Sequence, residues 1–332
     1  MTTKQQPLNS GFTAFSTAAE VIDGIDLSGR TAIITAGHVG LGLETTRALA
    51  SAGAGVIVGA RRPDKATEAL RGIAGVRVAQ LDLTDPASID AFAARHLDTG
   101  EPVHILANNA GIMGGDLVHD ARGYESQFAT NHLGHFQLTR ALLPALRNAG
   151  GARVVNLSSW GHHYSDIRWD DPHFDTGGYE GMVAYGQSKT ANVLFAVELD
   201  RRWAADGIRG YALHPGGIVN TSLAPWLTEE DLRTMGLLDD SGQPIIDPAN
   251  DRKTPEQGAA TTVFAATSPL LADIGGVYLQ NSDIAPLESG ETGADPEIRS
   301  AHLELTVAVT AYAVDPESAE RLWDLSEKML AT

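Results

Sequence analysis

A tyrosine and a lysine four residues apart are the first pair of side chains in this sequence that could carry proton-transfer chemistry. Tyr185 and Lys189 bracket the stretch Tyr-Gly-Gln-Ser-Lys, and on a helix both would project from one face, one turn apart. A positive charge beside a phenol favours phenolate and lowers the tyrosine pKa from about 10, so the pair could act as an acid–base group. The same spacing also arises by chance in many helices, so its weight depends on the residues upstream.

A serine and an asparagine upstream strengthen this interpretation. Ser159 follows the β-prone run 152–157, and the carboxyl end of a parallel strand is where α/β sheets place their ligands. A helix or turn cap is the alternative role for this serine. Asn131 lies inside the apolar-patterned helical stretch 123–146, where an unpaired buried amide would cost about 1–3 kcal/mol. Asn131 therefore needs a partner or a function.

A glycine-rich turn joins the apolar run 31–35 to a helical segment at 44–52. Glycines let a backbone approach a pyrophosphate closely, and a helix N-terminus attracts its negative charge. The pattern predicts a dinucleotide-binding loop, with a tight turn that holds no ligand as the alternative. The candidate cofactor residues in this loop are Gly37, His38, Gly40, Leu41 and Gly42.

The end of the next strand, 55–60, indicates which nicotinamide cofactor would bind. An acidic residue there favours NAD, whereas an arginine favours the 2′-phosphate of NADP. Here no carboxylate ends the strand, and Arg61 and Arg62 follow it. The sequence therefore predicts NADP(H) in preference to NAD(H); the alternative is that both arginines are solvated loop cations.

Further candidate cofactor contacts follow the third and fourth strands. Asp82 and Leu83 end the third strand, where Asp82 could accept a hydrogen bond from the adenine amino group or could cap the strand end. Asn109, Ala110 and Gly111 follow the fourth strand and suit contacts to neighbouring backbone and to a ribose. Of these, Asn109 is interpreted as a structural brace rather than as a ligand.

Composition excludes several classes of function. The net charge of −18 argues against a general nucleic-acid or anionic-membrane surface. The chain has no cysteine, which excludes disulfides and thiol nucleophiles. His132 and His135 lack an accompanying carboxylate cluster, so no metal site is predicted. The polar start of the chain has no signal-peptide core, and no apolar run approaches the roughly 18 residues of a membrane span. We expect a cytoplasmic protein.

Strands and helices alternate from residue 30 to residue 280. This order predicts an α/β fold: a single doubly wound Rossmann-type domain with a mostly parallel sheet of about seven strands, flanked by helices. No Pro/Gly/Ser-rich linker divides it. We expect an N-terminal arm at 1–28, the Rossmann domain at 29–282 with a substrate lid at about 221–254, and a C-terminal extension at 283–332 that ends in a helix over 316–330.

With these residues in view, the chain resembles the short-chain dehydrogenase/reductase superfamily over roughly residues 28–282. The nearest likeness is to its retinol-dehydrogenase-like and WW-domain-oxidoreductase-like branch. The motifs that carry the resemblance are Asn-His-Leu-Gly-His-Phe at 131–136, Arg-Val-Val-Asn-Leu-Ser-Ser at 153–159, the helical stretch 185–199 and His-Pro-Gly at 214–216. Their occurrence in this order is far more specific than any one of them.

The resemblance implies a role for each catalytic candidate. Tyr185 would be the general acid–base, and Lys189 would bind the nicotinamide ribose and lower the pKa of Tyr185. Ser159 would hydrogen-bond the substrate oxygen, and Asn131 would hold a water that links Lys189 to solvent.

Further contacts are expected from the loop after the sixth strand and from two tryptophans. Tyr185 and Lys189 would also touch the cofactor, together with Pro215, Gly216, Ile218, Asn220 and Thr221. Trp160 and Trp226 join Ser159 and Tyr185 as substrate-binding candidates.

Two departures from the family pattern concern the cofactor. Ala36 stands where the family usually has the glycine of Thr-Gly; an alanine tolerates ordinary φ values but crowds a close backbone approach. We therefore expect weaker cofactor binding or a shifted loop. Five residues after the proline of His-Pro-Gly the family usually has a threonine, whereas this chain has Asn220 followed by Thr221. Either Asn220 substitutes, or the loop carries an extra residue.

The resulting hypothesis is an NADP(H)-dependent oxidoreductase that transfers a hydride between the nicotinamide and a lipophilic secondary alcohol, ketone or aldehyde. The aromatic residues of 160–184 and the apolar segment 223–227 indicate a roomy apolar pocket for such a small molecule. The sequence leaves two alternative functions open: an enzyme that reduces C=C or C=N bonds, and a cofactor-binding sensor without turnover. A metal-dependent hydrolase is the weakest alternative. Many relatives form dimers or tetramers through the helices that bear Asn131 and Tyr185. The C-terminal segment could cover one of these faces, so the sequence does not decide whether the protein forms a homodimer or a homotetramer.

Overall fold

The computed structural model describes residues 4–218, 223, 224, 226–288 and 307–331. Its strands are β1 Thr31–Thr35, β2 Gly55–Ala60, β3 Val76–Gln80, β4 Ile105–Asn108, β5 Ala152–Leu157, β6 Ile208–His214, β7 Gly217–Ile218, β8 Arg252–Lys253, β9 Val277–Gln280 and β10 Asp283–Ile284. Its α-helices are α1 Ala18–Ile22, α2 Gly40–Ser51, α3 Pro63–Ala69, α4 Pro86–Leu97, α5 Ser126–Phe128, α6 Gly134–Ala141, α7 Leu143–Asn148, α8 Gly181–Trp203, α9 Glu229–Thr234, α10 Pro255–Thr267 and α11 Pro316–Leu330.

Eight of these strands form one sheet in the order β10-β9-β6-β5-β4-β1-β2-β3. Every pair in it is parallel except β9 with β10. The predicted doubly wound sheet is confirmed. The sequence pattern missed β10, because a strand of two residues, Asp283–Ile284, is too short to show an alternating pattern.

The central strands are apolar because helices cover both faces of the sheet. Ile33 and Ile34 of β1 are both 0% exposed, although successive side chains of a strand point to opposite faces. The strand order reverses between β1 and β4. Such a reversal opens a crevice at the carboxyl ends of the strands, which is where ligands bind in folds of this class.

The continuous helix predicted over 123–146 is wrong. The structure has α5, then a π-helical turn at Ala129–Leu133, then α6, and α7 begins with Pro144 in its first turn. The chain packs closely against the turn after β3 at this point, since a Cβ on Gly134 would lie 2.5 Å from the carbonyl oxygen of Leu83. Asn131 and His132 of the π turn are buried, as is His135 in α6.

The two ends of the chain pack on the sheet and on its helices. The Gln5 side chain pairs with the backbone of Tyr278, through bonds of 2.6 and 3.1 Å. From α11, the ring of Trp323 packs against those of Phe136 and Trp203. Helix α11 thereby covers a face formed by α6 and α8. Among the residues described above, no helix is both long and apolar enough to cross a membrane.

Candidate active site

A cleft of about 300 Å³ lies where β1, β4, β5 and β6 end. The predicted site residues on its wall are Gly40, Leu41, Gly42, Asn109, Ala110, Gly111, Ser159, Tyr185, Lys189, Pro215, Gly216 and Ile218. The tertiary structure therefore brings together residues that lie up to 178 positions apart in the chain, from Gly40 to Ile218. The predicted residues that do not line this cleft are Gly37, His38, Arg61, Arg62, Asp82, Leu83, Asn131, Trp160 and Trp226. Asn220 and Thr221 lie outside the described residues.

The glycine turn after β1 is tightly packed. A Cβ on Gly37 would lie 2.8 Å from Thr46 Oγ1, and a Cβ on Gly42 would lie 2.5 Å from the Ala36 carbonyl oxygen. The first residues of α2 line the cleft, and the residue before the helix, Val39, provides no side-chain cap. Backbone N–H groups at an uncapped helix N-terminus are donors for a phosphate, so this end of the cleft fits a dinucleotide.

The constraint at Ala36 differs from the one the sequence predicts. Ala36 has φ +54°, in the left-handed region, where a Cβ costs roughly 1–2 kcal/mol. The sequence predicted an ordinary φ at Ala36 and a side chain that crowds the cofactor. The structure instead has a backbone conformation at Ala36 that glycine adopts most easily. Ala36 therefore carries local backbone strain beside the phosphate end of the cleft.

Asn109 is a brace between the ends of β1 and β4, as predicted. Its side-chain nitrogen donates to the Thr35 carbonyl at 2.9 Å, and its backbone N–H donates to Thr35 Oγ1 at 2.9 Å. The N–H of Ala110 donates to the same oxygen at 2.8 Å. Thr35 Oγ1 also lies 2.9 Å from His135 Nε2. Thr35 and His135, for which the sequence predicted no role at this site, therefore position the turn that carries Ala110 and Gly111.

The end of β2 is cationic and open to solvent. Arg61 and Arg62 are exposed there. Burial, together with the positive charge of Arg62, lowers the pKa of His38, which indicates that Arg62 lies near the glycine turn. Asp82 accepts from the backbone N–H and the hydroxyl of Thr84 at 3.0 and 2.7 Å, which matches the capping role, and Leu83 is buried.

Ser159 begins a short 3₁₀ turn at Trp160–Tyr164. Its hydroxyl accepts from the Gly161 N–H at 3.0 Å, and Ser159 and Tyr185 both line the cleft. A Cβ on Gly161 would lie 2.7 Å from Tyr185 Cε1. The capping and substrate-facing roles considered for Ser159 are therefore compatible. Gly161, which no sequence motif marked, leaves room for the serine and the phenol to lie side by side.

Tyr185 and Lys189 lie one turn apart on α8, which confirms the predicted helical spacing. Lys189 Nζ is 5.4 Å from the centre of the Tyr185 ring and donates to the Leu157 carbonyl at 3.0 Å. The Ser158 hydroxyl donates to the Lys189 carbonyl at 2.8 Å. These bonds attach this part of α8 to the end of β5, where Ser159 follows.

The prediction that Lys189 lowers the pKa of Tyr185 is wrong for this structure. Burial raises the pKa of Tyr185 to about 12, and the nearby Ser159 hydroxyl opposes that shift only in part. Burial also lowers the pKa of Lys189 to about 7. Both side chains are 3% exposed, and a low-dielectric interior disfavours the charged form of each. Tyr185 is therefore a protonated phenol at neutral pH, which suits a proton donor.

Asn131 braces the loop after β4 against α8. Its Oδ1 accepts from the Ile112 N–H, while its Nδ2 donates to the Ile112 carbonyl and to Ser188 Oγ, each at 2.9 Å. A Cβ on Gly111 would meet Asn131 Oδ1 at 3.3 Å and Lys189 Nζ at 3.5 Å. Asn131 and Lys189 thus meet at Gly111, and the buried amide has its partners. The predicted water relay stays a prediction.

The two histidines of the π turn and α6 make structural hydrogen bonds. His132 Nε2 bonds to Ser326 Oγ at 2.8 Å, and His135 Nδ1 bonds to the Asn131 carbonyl at 3.0 Å. Within the described ranges, no group of three or more histidines and carboxylates could hold a metal ion.

The two tryptophans suggested for substrate binding lie near the cleft but outside its wall. Trp160 stacks on His163 with ring centres 4.8 Å apart. Trp226 donates its indole N–H to the Met113 carbonyl at 2.7 Å, and Met113 lines the cleft. Apolar side chains of Leu223 and Leu237, from the predicted lid segment, do line the wall.

Comparison with known proteins gives a consistent picture. A family model described as "short chain dehydrogenase" matches residues 30–171. A "Probable oxidoreductase" of Streptomyces lividans is 43% identical over 313 residues, which cover 92% of this chain and 99% of that protein. "Short-chain dehydrogenase/reductase prx1" of Penicillium rubens is 37% identical, over 90% of this chain and 84% of its own length.

Two further comparisons extend over nearly the whole chain. The WW domain-containing oxidoreductase of Gallus gallus is 34% identical, over 98% of this chain and 73% of its own length. A crystal structure of a protein from Mycobacterium paratuberculosis superposes with a TM-score of 0.69 at 34% identity, over 96% of this chain and 98% of that one.

Proposed function

The chain belongs to the short-chain dehydrogenase/reductase superfamily, in the branch of the retinol dehydrogenases and WW domain-containing oxidoreductases, and from this premise we propose that it reduces lipophilic ketones or aldehydes with NADPH. The observation that carries the proposal is that Ser159 and Tyr185 lie together on the wall of a cleft whose other end is an uncapped helix N-terminus. NADPH would supply the hydride when bound.

The site residues divide the remaining work. The hydride converts a carbonyl carbon into an alkoxide, which needs a proton donor within hydrogen-bond reach. Tyr185 is that donor, because its burial keeps the phenol protonated. Ser159 donates a hydrogen bond to the same oxygen, so two hydroxyls stabilise the developing negative charge. Lys189, buried behind the phenol and bonded to the Leu157 carbonyl, is placed to stabilise the tyrosinate that remains.

The cofactor preference rests on charge at the end of β2. Exposed Arg61 and Arg62 would pair with a 2′-phosphate, and no carboxylate ends that strand to select the 2′-hydroxyl of NAD. The substrate class rests on the apolar wall beyond Ser159, to which Met113, Leu223 and Leu237 contribute. A wall of this kind favours a substrate with a lipophilic body and one polar oxygen.

The test is Tyr185→Phe, assayed with NADPH against a panel of ketones and aldehydes that spans aliphatic, aromatic and steroid-sized compounds. We expect kcat to fall by about 100-fold or more, the usual contribution of a positioned proton donor, while NADPH still binds in a fluorescence titration. Tyr211→Phe is the matched control, because Tyr211 is equally buried but donates to the Leu271 carbonyl away from the cleft. Activity of Tyr185→Phe within a few-fold of wild type, on any compound that the wild type reduces, would refute the mechanism.

A further inference from the structure

A buried histidine at the end of β6 connects the cleft to a segment 37 residues later in the chain. His214 is 4% exposed; its Nδ1 lies 2.9 Å from the Trp160 backbone nitrogen, and its Nε2 lies 2.7 Å from Asp251 Oδ2. An amide N–H can only donate, so Nδ1 carries the lone pair and Nε2 carries the proton. His214 therefore accepts from Trp160 and donates to Asp251, and both ring nitrogens are engaged.

Asp251 is itself held in place. It adopts φ +61°, and its carbonyl accepts from the Gly217 N–H at 2.7 Å. Its second carboxylate oxygen is 3.9 Å from Lys253 Nζ, and Lys253 Nζ donates to Asn281 Oδ1 at 2.6 Å. The carboxylate that orients His214 thus has a fixed backbone and a fixed counter-charge.

The loop after β6 rests on the same group of side chains. Gly216 has φ +104°, and a Cβ there would lie 2.7 Å from Lys253 Cδ. Pro215, Gly216 and Gly217 line the cleft. His214 itself lines the cleft beside this loop, and its two hydrogen bonds join the turn after β5 to Asp251.

The link to the proposed chemistry is the peptide that His214 holds. The Trp160 N–H belongs to the peptide bond between Ser159 and Trp160, so its acceptor sets the orientation of the backbone that carries Ser159. The Ser159 hydroxyl in turn accepts from the Gly161 N–H, and a Cβ on Gly161 would lie 3.3 Å from this hydroxyl and 2.7 Å from Tyr185 Cε1, so the serine and the phenol are neighbours. A rotation of that peptide would move the hydroxyl away from the phenol.

We propose that His214, oriented by Asp251, is a positioning residue that holds the Ser159–Trp160 peptide so that the Ser159 hydroxyl meets Tyr185. The inference deepens the proposed function and depends on it. His214 takes no part in proton transfer, because neither ring nitrogen is available to a substrate. Its effect is on the geometry of the reacting hydroxyls and hence on kcat.

Two substitutions at His214 separate the two hydrogen bonds. In His214→Asn the side-chain oxygen lies near the position of Nδ1, so the variant keeps the acceptor for the Trp160 N–H. In His214→Gln the side-chain nitrogen lies near the position of Nε2, so the variant keeps only the donor to Asp251. We expect His214→Gln to lose about tenfold or more in kcat, because a displacement of about 1 Å in a reacting group can cost up to 100-fold in rate, and His214→Asn to retain most of it. NADPH affinity should stay near the wild-type value in both.

Two substitutions at Asp251 provide a parallel test. Asparagine and glycine both tolerate the positive φ of this position, so neither change strains the turn. Asp251→Asn keeps an acceptor for His214 and should stay near wild type. Asp251→Gly removes it and should lose kcat in the same direction as His214→Gln.

A structural readout independent of turnover is the exchange rate of the Trp160 backbone amide, measured by NMR on protein labelled with ¹⁵N-tryptophan. We expect faster exchange in His214→Gln than in His214→Asn. The matched control is His104, whose Nδ1 accepts from the Thr31 N–H at 3.0 Å at the opposite end of the sheet. His104→Asn and His104→Gln should leave both kcat and the Trp160 amide unchanged.

Two results would overturn the inference: an unchanged kcat in His214→Gln despite fast Trp160 exchange, or an equal loss of kcat in His214→Gln and His214→Asn. If the wild-type protein reduces no carbonyl compound, the proposed function fails instead. The Trp160 exchange rates then decide alone whether His214 holds this peptide.

Discussion

Gly161 lies directly against the ring of Tyr185, so closely that a Cβ at position 161 would stand 2.7 Å from Cε1 and 2.9 Å from Cδ1 of the ring. The same glycine donates its N–H to the Ser159 hydroxyl at 3.0 Å. The absence of a side chain at this one residue therefore allows Ser159 and Tyr185 to pack next to each other in the proposed active site. Real Cβ atoms do not approach a ring carbon so closely, so any side chain at 161 must displace the turn or the tyrosine.

Substituting Gly161 by alanine should impair turnover much more than cofactor binding. A displacement of about 1 Å in a reacting group can cost up to 100-fold in rate, so we expect a fall in kcat of at least tenfold. Gly55→Ala is the control, because the nearest atom to its Cβ would be the Arg30 carbonyl oxygen at 3.8 Å. Steady-state kinetics and NADPH titration of both variants make the comparison. A kcat for Gly161→Ala equal to that of Gly55→Ala would contradict the proposed packing.

Replacing Ala36 by glycine should stabilise the protein. The left-handed backbone at Ala36, with φ +54°, destabilises the folded state by roughly 1–2 kcal/mol when the residue is alanine. Glycine removes that cost but increases the entropy of the unfolded chain, which lowers the free energy of unfolding by about 0.5–1 kcal/mol. We expect the free energy of unfolding to rise by about 0.5–1 kcal/mol in urea denaturation. Ala50→Gly, in the regular part of α2, should lower it by a similar amount. A loss of stability in Ala36→Gly would show that the strain lies elsewhere.

The double substitution Arg61→Ser and Arg62→Ser should remove the preference for NADPH. A charge-assisted hydrogen bond contributes about 1.5–3 kcal/mol, equivalent to roughly 10- to 100-fold in affinity. We expect the Kd for NADPH to rise by that factor while the Kd for NADH changes little. Arg71→Ser, at an exposed position after α3, controls for the loss of surface charge. Equal weakening of both cofactors would refute a role in 2′-phosphate recognition.

Stability at acid pH should depend on His132. Burial, helped by the nearby His135, lowers the pKa of His132 to about 3, below its unfolded value of about 6.5. The unfolded chain therefore binds the proton first. The contribution of the neutral buried ring to the free energy of unfolding is fully present above pH 6.5. It decreases as the pH falls from 6.5 toward 3, by up to about 1.4 kcal/mol per pH unit.

His132→Gln removes this titration and keeps a donor toward Ser326, the partner of His132 Nε2. Urea denaturation at pH 7, 6, 5 and 4 should show a shallower decline for the variant than for the wild type. Parallel declines would mean that other groups govern the acid transition. Burial also lowers the pKa of His135 to about 4, so some dependence on pH should persist in the variant.

Much of the site follows from the sequence because its signals are local. The spacing of Tyr185 and Lys189 needs only one helical turn to bring both side chains to one face. Short apolar runs predict well where strands end. Strand ends in turn predict the site positions of the glycine turn, the serine after β5 and the arginines after β2. Since parallel strands place their carboxyl ends on one edge, the sequence alone determined that these residues would converge on one cleft.

Tertiary packing decided what the sequence could not. Burial reverses the expected direction of the Tyr185 pKa, because the cost of charging a phenol depends on the surroundings that other segments provide. The bonds of Asn131 to Ile112 and Ser188, the contact between Gly161 and Tyr185 and the Trp160–His214–Asp251 chain join residues from separate parts of the molecule. No local pattern encodes such contacts, because each exists only when distant elements are packed together.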